Sequence, residues 1–339
     1  MHVFHRSEGC SRTLRRRRES ESGPAKKCGK LSTDLRRLAK PAQAGGGADD
    51  GHSRGGRPVR AAGANAEGDC LRLQEHQTLP GTPVSKASKD PTAKRTFVET
   101  AAVAKFYKKI FGRNSIDNAG MTLMSSIHFG TRFNNAMWDG FQMIYGDGDG
   151  QLFVDFTKSN DVIAHELTHG VTQHTLQLAY SGDAGGLNES MSDCFGSMFR
   201  QWRAGQGTNA ADWLIGASII GPAAKARGFK CLRNMSNPAD PSALAPQPTH
   251  YSQLTPGMDP HYTSGPPNLA FYTACTNLGG NSWAEIGQVW YGVLANSGID
   301  PAMTMPKFAG RARQLAAQMY PAQPAVAAAV DAGWTQVGL

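Results

Sequence analysis

The stretch "DVIAHELTHGVTQ", residues 161–173, decides how the rest of the chain is read. An α-helix turns once every ~3.6 residues, so His165 and His169 project from one face a turn apart, and both imidazoles can reach a single ion. Glu166 follows the first histidine directly. Neutral imidazole suits zinc, and a carboxylate beside the ion but outside its ligand set can take a proton from water. Two histidines do not complete such a site, because a catalytic zinc needs a third protein ligand and an open position. The stretch also marks a change of pattern. Before it, "MTLMSSIHFG", "FQMIYGDGDG" and "QLFVDF" are short, β-prone and separated by Gly, Asn and Asp turns, which predicts a strand-rich first lobe. After it come the longer helical stretches "ESMSDCFGSMFRQWRAG", "SWAEIGQVWYGVLANS" and "MPKFAGRARQLAAQMY", which predict a mainly helical second lobe. The expected fold class is therefore α+β, two-lobed, with the metal helix near the junction, where clefts favour sites.

The 339 residues, 40% hydrophobic, suffice for a sizeable core. The net charge is +8, but residues 1–70 carry 15 Lys/Arg against 8 Asp/Glu and the remainder carries 20 against 19. The basicity is thus local, and no nucleic-acid groove is expected along the folded body. No apolar run approaches ~18 residues, so no membrane span is expected. The N-terminus "MHVFHRSEGCSRTLRRRRES" has basic residues without an apolar stretch behind them. No secretory signal is visible in it, which points to a cytoplasmic location or leaderless export. The six cysteines, Cys10, Cys28, Cys70, Cys194, Cys231 and Cys275, have no C-x-x-C spacing and read mostly as free thiols.

Residues 1–70 are rich in Arg, Lys, Gly, Ala and Ser and poor in large apolar side chains, the composition of an arm or prosegment that cannot offset its ordering entropy. Within it, "LSTDLRRLAK" suggests a short helix and "RRRR" a solvated charge run. A first lobe over residues 71–176 ends in the metal helix, and a second covers residues 177–339. In "TFVETAAVAKFYKKIFG", Phe97, Ala101, Ala104, Tyr107 and Phe111 recur near helical spacing, with Gly112 at a cap position.

Few acidic residues can supply the third ligand, since only Glu99, Glu166, Glu189 and Glu285 follow Glu75 among the glutamates. Glu189 lies twenty residues past His169 in "GGLNESMSD", where Asn188 and Glu189 look like a helix start and Asp193 shares the face of Glu189. With these residues the chain resembles the thermolysin family of zinc metallopeptidases. The likeness runs from about Leu79 to Leu339 through "FGRNSID", "FNNAMWDG", "YGDGDG", "HELTHGVT", "LNESMSD", "LRNMSNP" and "DPHYTSGPPN". The short leader resembles that of the protealysin branch. An endopeptidase acting on peptides or proteins is what the resemblance implies, made as a zymogen, with secretion as the family-based alternative for its location; a monomer is expected.

The resemblance further implies that His165, His169 and Glu189 bind one zinc and that Glu166 is the general base. Tyr180 and His261 would donate hydrogen bonds to the oxyanion, with Asp259 orienting His261. Asp193 would support His165, and Asn188 would support His169. Asn135 and Ala136 match the segment that pairs with an extended peptide, and Arg233 matches an arginine that binds a peptide carbonyl beyond the cut. Phe153, Phe156, Val162 and Leu232 would line the pocket just after the cut bond and favour a bulky hydrophobic residue there. Phe156 exceeds the usual aliphatic in size, so a shallower pocket is expected. His128, His174 and His250 are read as structural, and "GDGDG" as a tight turn rather than a calcium loop. Secreted relatives hold a double calcium site with five carboxylates. Here Asp161 and Asp212 keep two of those places while Arg200, Leu214 and Ala217 take the other three, so calcium is not expected there. Two rivals are an inactive zinc-binding module and a nucleic-acid-binding arm, the latter implying salt-dependent binding lost on deleting residues 1–70.

Overall fold

The computed structural model describes residues 69–72 and 79–339. The rest of the N-terminal arm, "LSTDLRRLAK" and "RRRR" included, lies outside the described residues. Five short strands make the first lobe's sheet: β1 (Asp69–Arg72), β2 (Thr82–Val84), β3 (Met124–Ile127), β4 (Ala136–Trp138) and β5 (Met143–Tyr145). Their order is β2-β1-β3-β5-β4, with β1, β3 and β5 mutually parallel and β2 and β4 antiparallel at the two edges. Strand β1 crosses the boundary expected between residues 70 and 71.

Helix α1 (Pro91–Phe111) starts before the periodic stretch read from the sequence. Pro91 occupies the first turn, and Asp90 caps it by accepting from the amides of Thr92 and Ala93. Gly112 ends it with φ +69, a left-handed conformation that a side chain would resist. The "QLFVDF" stretch departs from expectation. It forms only an isolated bridge between Phe153 and Ile220 and then a 3₁₀ turn, Phe156–Lys158. Asp149 Oδ1 accepts from the amides of Gln151 and Leu152, so a carboxylate takes donors that a longer ladder would need, and Asp155 Oδ1 caps the 3₁₀ turn at the Thr157 amide. Asp149, within "GDGDG", opens the bend over residues 150–152.

The metal helix, α2 (Asn160–Gln173), packs along α3 (Gly182–Ala204). A Cβ on Gly196 of α3 would come within 2.7 Å of the Asp161 carbonyl oxygen, so this glycine permits the close crossing. Helix α3 begins two turns before Asn188, not at it. Gly185 and Gly186, poor helix formers, are held in helix by packing against Pro260, Thr263 and Met305. Beyond α3 come β6 (Leu214–Ile215), α4 (Pro222–Ala226) and β7 (Arg233–Asn234), followed by α5 (Pro260–Thr263) and α6 (Gly265–Leu278). Helices α7 (Glu285–Asn296), α8 (Met305–Met319) and α9 (Pro324–Gln336) complete the chain.

Two aromatic clusters organise the core. Phe106, Tyr107 and Phe111 of α1 meet Phe195 and Phe199 of α3 and Tyr291 of α7, which ties the lobes together. In the second lobe Trp290 stacks on Trp334 at 5.6 Å, with Phe271 and Phe308 at their edges. Cys194, Cys231 and Cys275 are buried free thiols, and burial raises the pKa of each. Among the described residues, no helix is long and apolar enough to cross a membrane.

Candidate metal centre

His165 and His169 stand on one face of α2 with their Nε2 atoms 3.0 Å apart. Glu189, two turns into α3, faces them across the helix pair. Its Oε2 lies 3.4 Å from His165 Nε2 and its Oε1 3.6 Å from His169 Nε2. One ligand atom from each of the three lies within 4.8 Å of the others, the only such group among the described residues. Both imidazoles are held from behind. His165 Nδ1 is 2.9 Å from Asp193 Oδ1, and His169 Nδ1 is 2.9 Å from Asn188 Oδ1 and 3.1 Å from Ser192 Oγ. Donation from Nδ1 leaves the Nε2 lone pairs aimed at the common point. Glu189 Oε2 is buried and accepts no hydrogen bond. Two lone pairs and an unsatisfied carboxylate oxygen fit a divalent cation, and two nitrogens with one oxygen suit zinc.

The electrostatics are those of a site that attracts a cation. Burial disfavours a charged His165, but Asp193 and Glu189 outweigh it and raise its pKa to about 10. Glu189 is held well below the usual carboxylate range, because the three surrounding histidines, His261 foremost, overcome the cost of burial. Asp193 is the hub behind the site. Burial would raise its pKa, yet Arg233 and His165 lower it. Arg233, itself buried, donates from Nε at 2.7 Å and Nη2 at 2.6 Å, and Asn268 Nδ2 donates at 2.8 Å.

Glu166 is buried beside this group and close enough to act electrostatically on His169 and Tyr180. Tyr180, in the α2–α3 loop and 44% exposed, donates its hydroxyl to Glu189 and sits 3.3 Å from His261 Nε2. Burial and the adjoining Glu189 raise the phenol's pKa and keep it a donor. His261 opens α5, with Nδ1 2.8 Å from Asp259 Oδ1. The cleft around it disfavours its charge, but Glu189 and Asp259 prevail and raise its pKa.

The remaining sequence-derived residues distribute around the cleft. Asn135 and Ala136 lead into β4, an edge of the sheet, which packs on α2. Phe153 contacts Phe156 at 5.4 Å, and Phe156 and Val162 are buried. Leu232 is partly buried beside Gly216. Arg233 directs two donors away from the cleft, at Asp193, leaving Nη1 as its remaining terminal nitrogen. Sequence reasoning missed Ser192, Asn268 and Gln247, whose Nε2 donates to the His261 carbonyl at 2.6 Å. Asn268 closes the quoted "DPHYTSGPPN", and that motif was the available signal.

A second polar cluster lies at the other end of the α2–α3 pair. Asp161 is fully buried and accepts from the amides of Val162 and Gly216, with Arg200 Nη1 3.5 Å from its Oδ2. Arg200 Nη2 also pairs with Asp212. His128 is held at both ring nitrogens, by Asp147 at 2.8 Å and Asp90 at 2.9 Å.

Comparison with known proteins gives consistent matches. Residues 72–173 match the family model "Thermolysin metallopeptidase, catalytic domain", and residues 176–339 match "Thermolysin metallopeptidase, alpha-helical domain". The chain is 39% identical over 280 residues to "Extracellular metalloprotease" of Pectobacterium carotovorum subsp. carotovorum, covering 78% of this chain and 79% of that protein. It is 36% identical to "Protease PrtS" of Photorhabdus sp. (strain Az29), covering 77% and 73%. A solved structure, the precursor of protealysin, a metalloproteinase from Serratia proteamaculans, superposes with TM-score 0.76 at 35% identity, over 83% of this chain and 90% of that one.

Proposed function

The chain belongs to the thermolysin family of metallopeptidases, a two-lobed α+β fold, and from that premise we propose that it is a zinc-dependent endopeptidase with His165, His169 and Glu189 as ligands and Glu166 as base. The observation carrying this reading is the convergence of three ligand atoms within 4.8 Å, with both imidazoles fastened through Nδ1. Zinc bound there supplies Lewis-acid activation of a water and of the scissile carbonyl. The chain's own residues do the rest. Glu166 takes the water's proton and returns it to the leaving nitrogen. Tyr180 and a His261 kept charged by Asp259 donate to the oxyanion. Asp193, pinned by Arg233 and Asn268, holds His165 in register, and Asn188 does so for His169.

An extended peptide adds to the free edge of β4 through Asn135 and Ala136, the pairing mode that an edge strand offers. Arg233 reaches the peptide carbonyl beyond the cut with its remaining nitrogen. Phe153, Phe156, Val162 and Leu232 favour a bulky hydrophobic residue just after the cut, and the size of Phe156 makes the pocket shallow. Residues 1 to about 70 act as a prosegment removed before full activity. The Pectobacterium relative's name favours release from the cell. Calcium is not required at the Asp161–Asp212 cluster, because Arg200 supplies the positive charge and too few oxygens remain for an ion that takes about six to eight.

The test is cleavage of internally quenched peptides that differ only in the residue after the cut, with and without a zinc chelator. Cleavage favouring Leu or Phe over charged residues, lost on chelation and restored by zinc, is the expected result. Chelator-insensitive cleavage would defeat the reading.

A further inference from the structure

Phe141, at the tip of the β4–β5 hairpin, is 74% exposed, the most exposed large hydrophobic side chain among the described residues. Its position is fixed. Asp139 Oδ1 accepts from the amides of Phe141 at 2.8 Å and Gln142 at 2.9 Å, and the Asp139 amide donates to the Gln142 carbonyl. The turn is also tied to the last turn of the metal helix. Trp138 Nε1 donates to Gln173 Oε1 at 2.7 Å, and Gln173 Nε2 donates to the Gly140 carbonyl at 3.3 Å. An aromatic ring on a fastened turn makes an apolar contact with little further loss of backbone freedom.

The hairpin also has a direction relative to the chemistry. At the far end of β4, the Gly146 amide donates to the Asn135 carbonyl and the Phe156 amide to the Gly146 carbonyl. Phe156, in the pocket proposed to follow the cut, is therefore joined to the Asn135 end. Trp138 and Phe141 lie at the opposite end, where a peptide paired along β4 carries the residues that precede the cut. Strands and extended peptides advance ~3.3 Å per residue. From Ala136 the tip lies about three or four such steps away.

We infer that Phe141 is a specificity-determining residue that contacts an apolar side chain about three or four positions before the cut bond. This rests on the proposed use of the β4 edge for substrate. The contact extends selection beyond the pocket after the cut, so long apolar peptides are favoured over short ones.

Two peptide sets test it on the full chain: decapeptides with Leu or Gly at each of the third to fifth positions before a common cut, and short blocked peptides ending at the second. The parent should prefer Leu over Gly at one of those positions by roughly tenfold in kcat/KM. Phe141→Ser should bring that ratio close to one, Phe141→Leu should keep most of it, and any loss on short peptides should be far smaller. An unaltered ratio in Phe141→Ser, or an equal change on short and long peptides, would overturn the inference. Failure of the zinc-loaded parent to cleave any of the peptides would overturn the peptidase reading and this inference together, whereas an unaltered ratio in Phe141→Ser overturns this inference alone.

Discussion

The α2–α3 pair carries a buried carboxylate at each end, and the two are neutralised in opposite ways. Asp161 is saturated from within the chain: backbone amides, Ser159 and the Arg200 guanidinium surround it. Glu189 is left short: Oε1 accepts from Tyr180, but Oε2 accepts no hydrogen bond, and imidazole nitrogens of His165, His169 and His261 face the carboxylate. A buried charge without its full set of partners is costly, so the second arrangement suits an imported cation and the first does not. The same two helices thus build one open site and one closed one.

The largest effect expected from breaking this contrast is at the open end. His169→Ala should abolish zinc retention, measured by metal analysis, and lower peptide turnover by at least roughly 10³-fold. Zinc held at full stoichiometry by that variant would remove His169 from the ligand set. His261→Ala should lower kcat by about 10²-fold with little change in KM, because its bond forms chiefly to the developing oxyanion. A rise in KM alone would make His261 a binding residue.

At the closed end, Arg200→Glu removes the internal cation and adds a carboxylate. It should destabilise the fold by about 3–5 kcal/mol in urea melts, with partial recovery in calcium. The parent should be indifferent to a calcium-selective chelator, and a sharp drop on chelation would mean that Arg200 is no substitute for the ion. The smallest effect concerns His128. The hydrogen bond it donates to Asp147, with Asp90 on its other nitrogen, outweighs burial and raises its pKa to about 9. With a folded value above the ordinary ~6.5, its stabilisation is complete below that pH and is lost as pH rises through about 9. Because Asp147 is half exposed, the amount is about 1–2 kcal/mol. Urea midpoints at pH 7 and 10 for the parent and His128→Gln check it, and equal losses in both would remove His128 as the cause.

What the sequence made legible was local. The four-residue spacing of His165 and His169 is a property of any helix, and Gly112 marks its own cap. Sites assembled by helix crossing were harder. Glu189 could be nominated from the scarcity of glutamates, but Ser192 and Asn268 are single polar residues within helices, and only their place inside the quoted motifs "LNESMSD" and "DPHYTSGPPN" could have pointed to them. "QLFVDF" alternates like a strand, yet the Asp149 carboxylate captures its first amides. Likewise α3 starts earlier than its composition suggests, because packing against α5 holds two glycines in helix.

The most direct test of the central claim separates holding the metal from using it. Glu166→Gln leaves every proposed ligand in place and removes only the proton acceptor. The account predicts zinc at the parent's stoichiometry together with turnover lowered by at least roughly 10³-fold. Turnover close to the parent's in the zinc-loaded variant would contradict it.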